Sequence, residues 1–168
     1  MSNPLTVTMR EGEPYVQYER EFDFPVHEVF RAHVDPELYG QWIGPRDLST
    51  RIDVFDARPG GAYRFVQSRD DDEYAFRGVF HTVREDDFML QTFEYEGYPD
   101  SVTLEYATFT ELPGGRSKLT GRSVFPSLEA RDGMAATGME TGMTEGYDQL
   151  DELLAAYPRP SRGAIQQQ

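Results

Sequence analysis

Arg20 is the first residue in this sequence whose placement suggests chemistry, because it puts a charge on an apolar face. Residues 15–24 alternate, with Val16, Tyr18, Phe22 and Phe24 on one side and Gln17, Glu19, Glu21 and Asp23 on the other, and Arg20 falls with the first set. A buried guanidinium needs a carboxylate or carbonyl partner. Two readings are open: a structural ion pair or a side chain snorkelling at the sheet edge, and an anchor for a ligand carboxylate or enolate. The histidines offer less. His27 and His33 stand six apart on a helix, which does not set both rings on one face, and His81 alternates opposite Phe80 and so faces outward. The acidic run Asp70-Asp71-Asp72-Glu73 lacks the spacing of a calcium loop and reads as a solvated hairpin tip. With no cysteine in the chain, thiolate catalysis, disulfides and cysteine-based metal sites are excluded. No metal site and no cofactor are therefore expected. There is no GxSxG motif and no Ser–His–acid grouping legible from order. Gly60-Gly61 and Gly114-Gly115 each join two strands and open no helix, so they are not phosphate cradles. No catalytic residue can be assigned. If the chain is an enzyme, Tyr74, Tyr95, Tyr106 or Arg20 could orient or polarise a substrate carbonyl.

These side chains must be positioned by a sheet and a few helices. Tyr15 to Phe24 is a half-buried strand by its period of two, stopped at Pro25. Val26, Val29, Phe30 and His33 then form a helical stripe. Asp35 caps a second short helix with Pro36 at its first position, and Leu38 and Trp42 face the same way. Six further strands follow, each closed by a turn: 48–57, 63–67, 73–83, 88–96, 102–112 and 118–125. Short connections imply an antiparallel meander of seven strands in all. The last element, about residues 128–157, repeats Met139, Met143, Tyr147, Leu150 and Leu154 at helical spacing. Gly138, Gly142 and Gly146 stand four apart on the neighbouring row. Each glycine costs a helix interior about 1 kcal/mol relative to alanine, so the row calls for either close packing or room for a ligand.

Strand alternation then suggests an inner face carrying Phe65, Tyr74, Phe76, Phe93, Tyr95 and Tyr106. Met139, Gly142, Met143 and Tyr147 would roof it, with Phe30, Trp42 and Arg20 at its margins. Such surroundings would form an enclosed, mainly apolar and adaptable pocket. Trp42, the single tryptophan, serves either as the anchor of its helix or as part of the pocket mouth.

The chain has 168 residues, enough for one self-sufficient core. Residues 1–14 read as an N-terminal extension, 15–157 as the domain and 158–168, rich in Pro, Gly and Gln, as a flexible tail. No signal peptide and no span of ~18 apolar residues are evident. Together with the missing cysteines this points to a cytoplasmic protein. A net charge of −14 repels phosphate backbones and anionic lipid, so neither nucleic acid nor membrane is an expected partner. A homodimer stays open.

The order strand, two short helices, six strands, long helix is that of the helix-grip α+β fold. The stretch Arg20-Glu21-Phe22-Asp23-Phe24-Pro25, with Val29-Phe30, Ala32, Asp35-Pro36-Glu37-Leu38, Trp42 and Gly44-Pro45, resembles the opening signature of the Hsp90 ATPase activator-like family. Pro59-Gly60-Gly61, Phe76-Arg77-Gly78-Val79, Gly114-Gly115 and Gly138-Met139 through Gly142-Met143 to Tyr147 and Leu150 continue the similarity over about residues 15–156. That family lies in the START/Bet v 1-like (SRPBCC) superfamily. Tyr147 departs from it, standing where many relatives have tryptophan, and these residues leave no room for the additional N-terminal domain of the eponymous co-chaperone. Hsp90 stimulation is accordingly not expected. The resemblance implies a bacterial-type pocket protein that holds a small hydrophobic, aromatic or polyketide-like molecule between sheet and last helix, for carriage, sequestration or resistance. Two alternatives accompany it: a cofactor-independent polyketide cyclase or aromatase, and a chaperone-interacting module.

Overall fold

The computed structural model describes residues 2–157. Eight antiparallel strands form one sheet in the order β1-β2-β8-β7-β6-β5-β4-β3. Their ranges are β1 Leu5–Thr8, β2 Tyr15–Phe22, β3 Ser49–Phe55, β4 Ala62–Arg69, β5 Asp72–Arg84, β6 Phe88–Tyr95, β7 Thr103–Leu112 and β8 Arg116–Val124. Four helices accompany them: α1 Val26–Val34, α2 Pro36–Trp42, α3 Leu128–Ala135 and α4 Met139–Ala156. The expected meander runs from β3 to β8, and β8 closes back on β2 with Arg20 opposite Leu119 and Phe22 opposite Ser117.

Two expectations are corrected. The sheet has eight strands and not seven, because Leu5–Thr8 pairs with β2, Leu5 opposite Arg20 and Val7 opposite Tyr18. Four residues are too few for period two to stand out, and the turn that returns the chain is marked only by Gly12 at φ 80°. The last helix is not continuous. Ser127 caps α3 by accepting from the Ala130 amide at 3.1 Å, but the chain breaks at Gly138, whose φ of 85° is left-handed, and restarts as α4. The expected tail, residues 158–168, lies outside the described residues.

Both short helices start for local reasons. Pro25 precedes α1, and the Asp35 side chain accepts from the Glu37 amide at 3.0 Å to open α2. They lie on the inner face of the sheet with α4. The core between these layers includes Phe22, Val29, Leu38, Phe80, Leu119 and Leu150, all nearly inaccessible to solvent. Phe30 meets Phe109 edge to face at 5.3 Å, and the Trp42 indole N–H donates to the Ala32 carbonyl at 2.9 Å, locking α2 to α1. No described helix is long and apolar enough to cross a membrane.

Candidate functional site

The C-terminal half of α4 is clamped to the sheet. Arg20 is 1% exposed, and its Nη2 lies 2.6 Å from Asp151 Oδ2 and 3.0 Å from Asp148 Oδ1. Its Nη1 donates to Asp151 Oδ1 and to the Glu21 carbonyl. The guanidinium is thus engaged by protein groups, the structural arrangement among the two readings open for it. Gln149 donates to the Gly44 carbonyl at 2.8 Å, and Arg46 meets Glu152 through two bonds on the surface. Tyr147 fills the space beneath, stacked on Trp42 at 5.7 Å and edge-on to Phe22 at 5.9 Å. Aromatic packing therefore leaves no enclosed cavity there, which corrects the expectation of a sealed pocket.

The N-terminal half of α4 is held less closely. Between it, the loop after α2 and the inner ends of β4–β6 lies an open recess of about 200 Å³. Its walls are Trp42, Phe65, Phe76 and Phe93, with Met139, Met143 and Tyr147 above them. It continues into a shallower hollow of about 360 Å³ where Tyr74, Arg69 and Asp47 reach the surface. Phe65, Phe76 and Phe93 form a ladder across three strands, with rings 5.1 and 5.3 Å apart and nearly parallel. Gln67 is the one deeply buried polar side chain on this wall. Its amide nitrogen donates to the Ile43 carbonyl at 3.0 Å, and its side-chain carbonyl takes no hydrogen bond from the described residues.

The three helical glycines prove to have three roles. Gly138 supplies the left-handed break. A methyl group on Gly142 would meet only Pro45, at 3.6 Å, an ordinary contact, so this glycine faces the recess with room to spare. A methyl group on Gly146 would come within 3.3 Å of the Gly44 amide nitrogen and the Trp42 carbonyl, so here the glycine allows close approach of backbones.

Of the expected pocket residues, Trp42, Phe65, Phe76, Phe93, Met139, Gly142, Met143 and Tyr147 line the recess. Tyr74 lines its outer part, and Tyr95 packs on Phe76 at 5.2 Å. Phe30 belongs to the core against Phe109. Tyr106 is a correction, for it lies on the outer face, pairing with Arg122 and Leu90 there. It borders a separate, polar groove of about 540 Å³ together with Thr6, Thr8, Arg10, Thr120 and Arg122. Both parities of β7 carry apolar residues, and the inner one is fixed by Phe109 packing on Phe30 and His33. That parity turns Thr103, Glu105 and Ala107 inward.

Glu105 was not foreseen as a site residue. Its oxygens accept from the Thr103 hydroxyl at 2.9 Å and the Ser123 hydroxyl at 2.5 Å. Burial pushes its carboxyl up to about 7, against the smaller opposing effect of those two hydrogen bonds. Burial, and secondarily the Glu105 charge among other neighbours, also raises the phenols of Tyr18 and Tyr147. His33 is pushed down to about 4 by burial, although its Nδ1 pairs with the Val29 carbonyl at 2.7 Å. That bond and the contacts with Trp42 and Phe109 make it a packing residue. On the surface, His27 Nδ1 lies 2.9 Å from Asp86 Oδ1, and with Glu85 these offer three potential metal ligands within 4.8 Å of one another. The His27–Asp86 pair accounts for that contact without a metal.

A single curved layer of antiparallel strands gripping a C-terminal helix places the chain in the START/Bet v 1-like superfamily. Within it the chain belongs to the Activator of Hsp90 ATPase homolog 1-like protein family, whose model matches residues 23–155. Solved structures from bacteria share the fold. A protein of Rhodobacter sphaeroides is 23% identical, with 92% of this chain and 100% of that chain covered and a TM-score of 0.84. One from Arthrobacter aurescens is 24% identical over 94% of this chain and 95% of that chain, with a TM-score of 0.83. One from Mycobacterium smegmatis is 26% identical over 93% and 100%, with a TM-score of 0.79. No curated protein matches this chain.

Proposed function

We propose that this protein binds a small hydrophobic molecule with a flat aromatic body, in the recess between the phenylalanine ladder and the N-terminal half of α4. The observation that carries this reading is the combination of an apolar wall with a helix that leaves the space beside Gly142 unfilled. Parallel rings of Phe65, Phe76 and Phe93 suit a planar ligand, and Met139 and Met143 can adapt to its outline. The unused Gln67 carbonyl would accept a hydrogen bond from the ligand. A binding role is favoured over catalysis because Arg20, the strongest candidate to polarise a carbonyl, is already held by two aspartates.

The test uses the neutral fluorescent probe N-phenyl-1-naphthylamine. The parent should enhance its emission saturably and gain thermal stability with probe concentration. Gly142→Leu should fill the recess, weakening probe binding by about tenfold or more while the empty protein keeps its midpoint, since a helix glycine is also removed. No saturable binding by the parent, or full binding by a folded Gly142→Leu variant, would overturn the proposal.

A further inference from the structure

Glu105 is a carboxyl inside the grip with no cation to balance it. It projects from near the start of β7 onto the inner face, opposite Gln91 on β6 and Ser123 on β8. Its two hydrogen-bond donors are neutral hydroxyls, and no Lys, Arg or His forms an ion pair with it among the described residues. After burial itself, its charge helps to raise the phenols of Tyr18 on β2, Tyr39 on α2, Tyr63 on β4 and Tyr147 on α4. Arg20, the arginine on the inner face of β2, is already committed to Asp148 and Asp151. Yet Glu105 is not sealed, for it retains an intermediate exposure, as do Gln91, Ser123 and Phe93 around it.

Glu105 is also connected to the recess. Thr103, which donates to it, stands opposite Phe93 of the recess wall. Tyr147, which roofs the recess, is the α4 phenol that feels the carboxyl's charge. An unneutralised carboxylate in such surroundings is costly unless a positive group joins it.

We propose that the ligand of this site is an aromatic or otherwise flat apolar molecule bearing a protonated amine, with the ammonium group paired to Glu105. The inference rests on the recess being the binding site. It adds the charge of the occupant. The ring would lie on the phenylalanine ladder while the ammonium reaches the carboxylate across the tyrosine-rich floor, where phenol faces also favour cations. The chain's charge of −14 would concentrate such cations near the protein and repel their acidic analogues.

The experiment compares three molecules of one shape by calorimetry at pH 7: 1-naphthylmethylamine, 1-naphthalenemethanol and 1-naphthoate. A charge-assisted hydrogen bond at a partly desolvated site predicts that the amine binds about tenfold or more tightly than the alcohol, with naphthoate weakest. Glu105→Gln should bring the amine to within about twofold of the alcohol and leave the alcohol itself unchanged. Because the carboxyl of the free protein titrates near neutrality, amine binding should also release part of a proton, read from the heat in buffers of different ionisation enthalpy. This readout needs only the parent and decides the matter if the variant fails to fold. Equal affinity for amine and alcohol, or amine binding without proton release, would overturn the assignment of charge. Saturable binding of N-phenyl-1-naphthylamine alongside that result would leave the recess itself standing as the site.

Discussion

Three glycines four residues apart would be treated alike by any rule based on composition, yet the structure assigns each a different response to alanine. At Gly142 the new methyl group meets only Pro45 at 3.6 Å. The helix should therefore gain most of the propensity difference, about 1 kcal/mol. At Gly146 the same gain is opposed by contacts of 3.3 Å with the Gly44 amide nitrogen and the Trp42 carbonyl. These are backbone atoms in a loop pinned by Gln149 and Gln67, so they yield poorly. Overpacking of this kind costs about 1–3 kcal/mol, and the net effect should be a loss of up to about 2 kcal/mol. At Gly138 there is space, but φ is 85°, and an L side chain there costs about 1–2 kcal/mol. Urea unfolding of the three alanine variants should show Gly142→Ala above the parent midpoint and the other two below it, with unchanged slopes. With slopes of about 2 kcal/mol/M, the separations should be roughly 0.5 M or more. Gly146→Ala rising as far as Gly142→Ala would refute the claim that this glycine exists for close approach.

Two further predictions concern buried charge. Asp151→Ala should lower stability by about 3 kcal/mol in urea melts, because it strips the buried Arg20 guanidinium of its two-oxygen partner. Arg20→Met should cost less, since Asp148 and Asp151 keep 30% and 20% exposure and can be hydrated; equal losses would contradict this. His33 is depressed from 6.5 to about 4, so the stability it contributes is present above pH 6.5 and is lost as pH falls through 4, by roughly 3 kcal/mol at most. Subtracting the stability-versus-pH curve of His33→Phe from that of the parent should reveal that fall, and a flat difference between pH 7 and 4 would show that His33 is not buried in its neutral form.

The architecture was legible because each element carries its own signal. Alternation in β2, the Asp35-Pro36 cap and the Gly-rich turns all act over a few residues. What escaped the sequence depends on contacts between distant residues. β1 is defined by its partner and not by its own four residues. The inner parity of β7 could not be chosen from Leu104 and Tyr106 against Glu105 and Ala107, because the decision is made by Phe109 lodging against α1. Glu105 was therefore hidden by an error of one residue in phase, which moves every side chain of a strand to the opposite face. The glycine row shows the same limit. Its spacing revealed that something needed small residues, but only the positions of Pro45 and the 42–44 backbone separate room from close packing.

The location of the recess follows from where α4 is fastened. From Tyr147 onward the helix is held by the Arg20 pairs, by Gln149 and by Leu150 and Leu154 in the core. Before Gly146 its inward contacts are two half-buried methionines and a surface link from the Arg46 amide to Glu145 at 3.4 Å. The preceding turn ends in a left-handed glycine, so α3 cannot brace α4 as a continuous rod. Few apolar contacts and a backbone break are the features that lower the cost of local opening. The end of α4 beside the phenylalanine ladder is therefore the end at which local opening costs least, as the proposed binding of a molecule there requires. The clamped end keeps Tyr147 packed on Phe22 and Trp42, in register with the sheet. The left-handed Gly138 and the clamp at Asp148 and Asp151 thus leave one end of α4 loosely held and fix the other to the sheet.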